Sequence, residues 1–116
     1  MEMNQFMFTF VIMKTLTFLL FGKNEEILLT LKRIIESTPM WNATLLQELD
    51  SCKKQLINHP VDVLLLSSGL SLQEEQEITD YLSQLPYSIG LITHYGGGSG
   101  ILKNEIYTLF PDLLPG

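Results

Sequence analysis

The sequence predicts a single α/β domain: a mostly parallel sheet of four strands with helices on both faces. Three observations carry this. Short apolar runs alternate four times with segments whose apolar residues recur at three- and four-residue steps. The connections between them are short, so successive strands are joined by right-handed crossovers through the helices. The run 61–66, VDVLLL, is apolar almost throughout, as a central strand covered on both faces requires.

The first strand is read at 16–21 in LTFLLF, where β-branched and aromatic residues favour extended backbone. NEEILLTLKRIIES follows, with Ile27, Leu28, Leu31, Ile34 and Ile35 on one helical face. Asn24 is its expected N-cap, and Glu25 and Glu26 sit in the first turn, where the helix dipole favours negative charge. Pro39 closes the element. WNATLLQ is the second strand. ELDSCKKQLINH is the second helix, with Leu49, Cys52, Lys53, Leu56 and Ile57 at helical spacing, and Pro60 stops it. VDVLLL is the third strand. SLQEEQEITDYLSQL is the third helix, opened by Ser71 and Glu74 as a capping box and carrying Leu72, Ile78, Leu82 and Leu85. YSIGLIT is the fourth strand, and ILKNEIYTLF the fourth helix, ending at Pro111.

Composition excludes several function classes. The chain has 116 residues, 46% hydrophobic and 17% charged, enough for one ordinary core and too apolar for a disordered chain. Its net charge of −6 provides no basic surface for a phosphate backbone, so nucleic acid is not expected as a partner. The lone cysteine, Cys52, forms neither an intrachain disulfide nor a zinc site, and a reducing, cytoplasmic compartment is expected. The apolar stretch 6–22 is interrupted by Lys14 and rich in threonine and phenylalanine, so it reads as strand-forming rather than as a membrane helix or signal peptide. Residues 1–13 are therefore assigned to an N-terminal extension and 14–116 to the domain.

At this point the chain resembles the receiver domain of two-component response regulators, over roughly residues 13–109. FLLFGKNEEILLTLKRIIES is similar to the first strand and helix of that family, NHPVDVLLLSSGLS to the Pro-Asp pair and third strand, and SIGLIT to a fourth strand ending in a hydroxyl residue. The resemblance implies a three-layer, flavodoxin-like fold with strand order 2-1-3-4 and a role in signal transduction. It also implies a phosphorylation site: a carboxylate pair after the first strand to hold Mg²⁺, an aspartate nucleophile ending the third, a Ser or Thr ending the fourth and a lysine ending a fifth. Here the pair falls on Gly22 and Lys23 and the nucleophile on Ser67. Only Thr93 matches, and the fifth strand is missing or replaced by the extension. A receiver-like module without phosphotransfer activity, cofactor or metal is expected, acting through a protein partner or as a homodimer. The cobalamin-binding domains share this architecture, but their Asp-x-His-x-x-Gly motif would fall near GKNEEI and is not there.

A second reading, from a different class, is a small-molecule or anion-binding domain. In open α/β sheets ligands sit at the carboxyl ends of the strands. Gly96, Gly97, Gly98, Ser99 and Gly100 follow the fourth strand, where a nest of backbone N–H groups at a helix start accepts an anion, and Ser67, Ser68 and Thr93 line the same end. The spacing is neither that of a dinucleotide fingerprint nor that of a Walker loop, for which Lys103 is misplaced. A third reading has His94 as a base acting on Ser67, with no third carboxylate evident to orient the imidazole. His59 reads as surface, Trp41 as packing over the sheet edge or taking part in an interface, and Glu74, Glu75 and Glu77 as a solvated helix face.

A last expectation concerns the fourth strand. An apolar edge invites pairing with another chain, and Phe6, Phe8, Phe10 and Ile12 alternate as a strand laid on such an edge would require. The extension is expected to cover that edge or the last helix, within the chain or across a dimer.

Overall fold

The structure, a computed structural model, describes residues 15–94 and 99–113. The elements run β1 (Leu16–Phe21), α1 (Glu25–Glu36), β2 (Trp41–Leu46), α2 (Leu49–Asn58), β3 (Val63–Leu66), α3 (Leu72–Leu82), β4 (Gly90–Thr93), α4 (Ser99–Leu109) and a 3₁₀ turn (Pro111–Leu113). All strand pairs are parallel, in the order β2-β1-β3-β4. The predicted fold is the observed one. No fifth strand occurs among the described residues, and the N-terminal extension lies outside them.

Two cores flank the sheet. Because side chains alternate along a strand, Leu16, Phe18, Leu20, Val63, Leu65 and Ile92 meet α1 and α4 on one face. Leu19, Phe21, Leu64 and Leu66 meet α2 and α3 on the other. Phe18, Phe21 and Leu65 are fully buried, each contributing roughly 1.5–3 kcal/mol. Trp41 packs on Phe18, ring centroids 5.8 Å apart, and meets the edge of Tyr107 at 6.5 Å, so it joins β2 to α4.

Helix ends follow the sequence. Asn24 Oδ1 accepts from Ile27 N at 3.1 Å. The capping box of α3 is complete: Ser71 Oγ accepts from Glu74 N, and Glu74 Oε1 accepts from Ser71 N, both at 3.0 Å. Helix faces are narrower than periodicity suggests. Leu28, Leu31 and Ile35 are buried in α1 while Ile27 is exposed, and Ile57 and Leu72 point outward from α2 and α3. β4 is also shorter than its apolar run, because Tyr87 leaves the ladder and donates its hydroxyl to Leu56 O at 2.6 Å.

Candidate functional site at the carboxyl end of the sheet

The ladder continues one residue beyond each of three strands. Gly22 N donates to Leu46 O (3.3 Å), Ser67 N to Phe21 O (2.8 Å) and His94 N to Leu66 O (2.9 Å). The register Leu46, Phe21, Leu66, Thr93 therefore gives a next row of Gln47, Gly22, Ser67 and His94. By alternation, Gly22, Ser67 and His94 lie on the face that carries α1 and α4. The sequence-predicted residues Ser67 and His94 are thus side by side on two adjacent strand ends, whereas Thr93, one residue earlier, lies on the face that carries α2 and α3.

This row is tightly closed. Ser67 and His94 are buried, at 2% and 4% exposure. A Cβ placed on Gly22 would lie 2.9 Å from Ser67 Cβ and 3.3 Å from Leu28 Cδ2. Glycine here permits α1 and β3 to approach β1, and a carboxylate side chain has no room without displacing Ser67.

His94 does have an orienting carboxylate, contrary to the sequence reading. Glu105 Oε1, from α4, lies 2.5 Å from His94 Nδ1. The carboxylate accepts, which places the ring proton on Nδ1 and ties α4 to the end of β4. Sequence separation across the glycine loop hid this pair. Its only signal was an acidic residue near the buried helix face formed by Leu102 and Ile106.

The second feature is Lys23. Its ammonium lies 3.0 Å from Glu74 Oε2 and donates to Gln47 O at 2.5 Å. Gln47 Nε2 returns a bond to Lys23 O at 3.0 Å, and Lys23 N donates to Ser68 O at 3.1 Å. One loop residue thus joins the ends of β1, β2 and β3. Glu74, read from sequence as part of a solvated face, uses one oxygen for the cap and the other for Lys23. Its carboxyl is held below the usual range, first by the Ser71 N–H and then by Lys23. The hydrogen bond to Glu74 in turn raises Lys23 above the usual ammonium range. Gly69, with φ of 93°, lies against the Lys23 stem, where a Cβ would come within 2.7 Å of Lys23 Cβ.

The anion-site residues are divided. Ser67 is enclosed, Ser68 and Thr93 are half-buried, and Gly100 is exposed in the first turn of α4, which begins at Ser99. Gly96, Gly97 and Gly98 lie outside the described residues. No group of three His, Cys, Asp or Glu residues among those described is placed to hold a metal ion, and no helix among them is long and apolar enough to cross a membrane. Cys52 is fully buried, and burial pushes its thiol up to about 12, so it behaves as a core hydrophobe. The chain matches no protein-family model, no curated protein and no solved structure.

Proposed function

We propose that the protein is a receiver-like interaction module that does not cycle through an aspartyl phosphate and works through protein contacts at the carboxyl rim of its sheet. The observation that carries this is the Lys23 clamp. An ammonium stands where the receiver resemblance would have a carboxylate bind Mg²⁺, and its positive charge opposes a cation there. Ser67, at the nucleophile's place, lacks the carboxylate that an acyl phosphate needs. Gly22 packs directly beneath it.

The rim itself favours protein contact. Leu72 is 85% exposed, Ile101 54% and Ile27 39%, and each sits in the first turn of its helix. In a βα fold those turns lie over the carboxyl ends of the strands. Three large apolar side chains around one polar clamp resemble the anchors of a binding surface, where apolar contacts supply affinity within a polar rim. A partner protein or a second copy of the chain fits that surface.

Two arms test the reading. Incubation with acetyl phosphate and Mg²⁺ is expected to leave the intact mass unchanged, whereas a stable phosphoryl adduct on Ser67 would overturn the first half. A photoreactive residue at position 72 is expected to crosslink a defined protein in cells of the source organism. The same probe at position 57, exposed at the opposite end of α2, is expected to give none. Equal labelling from both positions would overturn the second half.

A further inference from the structure

Two of the exposed apolar side chains at the carboxyl rim flank one residue. Lys23 immediately precedes the cap of α1. Its ammonium bonds Glu74, in the first turn of α3, and also Gln47 O, next to Glu48 at the start of α2. The starts of α1, α2 and α3 therefore surround Lys23. Ile27 and Leu72 are exposed at two of these starts. Fully covering a large apolar side chain contributes roughly 1.5–3 kcal/mol, so both are available anchors.

Charge decides what can cover them. Glu25 and Glu26 open α1, Glu48 and Asp50 open α2, and Glu74 and Glu75 open α3. Singly, each acid complements its helix dipole. Together they make the rim negative, because these turns hold no lysine or arginine besides Lys23, which Glu74 engages. Glu25, Glu26, Glu48 and Asp50 are exposed, and no ion pair holds their carboxylates among the described residues. Other cations lie away from the rim: Lys32 pairs with Glu36, Lys53 with Glu77, and Arg33 sits in the last turn of α1. A second copy docked face to face would set these carboxylates against themselves. Nucleic acid and anionic lipid meet the same repulsion.

Resting on the interaction reading above, we infer that the occupant of this surface is a basic segment of a partner protein. Its apolar side chains cover Ile27 and Leu72, and its lysines or arginines meet Glu25, Glu26, Glu48 and Asp50. Anchors and charges are interleaved on this chain: Ile27 directly follows Glu25 and Glu26, and Leu72 shares its turn with the Lys23–Glu74 pair. Apolar contact supplies the affinity, while the carboxylates speed encounter and reject neutral or acidic competitors.

NMR titration of the isotopically labelled full-length chain tests this, with a short amphipathic peptide built of leucine and lysine as the probe. Saturable amide shifts are expected in the first turns of α1 and α3 and none at Ile57. The same peptide with glutamate for every lysine is expected to give none anywhere. Raising salt from roughly 50 to 500 mM should weaken binding at least tenfold. Glu25→Gln combined with Glu26→Gln should weaken it about fivefold, and Leu72→Ser about tenfold. All three positions are exposed, so the fold tolerates these changes. Absence of saturable shifts at millimolar peptide would overturn the inference. So would equal shifts from the glutamate peptide, binding indifferent to salt and to the glutamine variant, or shifts at Ile57 matching those at Leu72. A partner crosslinked through position 72 by a segment without excess lysine and arginine would overturn this inference while leaving the interaction reading in place.

Discussion

Gly22 and Gly69 are both required by close approach, Gly69 to Lys23. Gly22 leaves room for Ser67 and Leu28, and Gly69 adopts a φ of 93° with its Cα against the lysine stem. A side chain at 69 would carry backbone strain and a contact of 2.7 Å at once. Gly69→Ala is predicted to lower stability by about 1–3 kcal/mol, read as a drop in the urea midpoint with an unchanged slope. The sequence made part of this legible. The alternation of strands and helices placed Gly22, Lys23, Ser67 and Thr93 at strand ends, and they are there. It did not indicate what Lys23 holds, because Glu74 and Gln47 reach it only once three strands are side by side. Nor did it indicate Glu105, whose approach to His94 depends on where α4 starts.

At the scale of elements, the strands and helices were legible from alternating runs and caps, and their outward faces were not. Ile57 and Leu72 have core-like spacing yet point to solvent, because tertiary packing decides which residues of an apolar stripe are covered. The edges were half legible: the sequence placed the fourth strand at an edge of the sheet, but gave no sign that Lys32 and Glu36 of α1, paired at 2.8 Å, would hold the C=O and N–H of Ala43 and so plug the β2 edge. Glu36→Ala removes that plug. It is predicted to cost less than ~1 kcal/mol, since the pair is largely solvated, yet to increase self-association in light scattering by freeing the Ala43 edge. Acid should act in the same direction. The carboxyl of Glu36 is held down, first by Lys32 and then by Ala43 N–H, and Glu74 is depressed by its own cap. A depressed carboxylate contributes stability above its unfolded value of about 4.3 and loses it as pH falls through the folded one. Melting temperature should therefore fall below that range, and less so in a Glu36→Ala, Glu74→Ala double variant.

For the whole molecule, the parallel strand order β2-β1-β3-β4 gathers four strand ends at one rim, with α1 and α4 on one face of the sheet and α2 and α3 on the other. In the receiver resemblance that rim is an acidic pocket awaiting Mg²⁺. Here Lys23 fills it, crosslinking three loops and fastening the cap of α3. Under the function proposed above, a rim closed in this way presents a fixed surface to a partner and takes no part in phosphoryl transfer. The most direct measurement is a titration of the isotopically labelled full chain with MgCl₂ in the millimolar range, following the amides of Lys23, Ser67, Ser68 and Thr93. The clamp predicts no saturable shift at any of them. A saturable shift confined to these residues and reversed by chelation would contradict it.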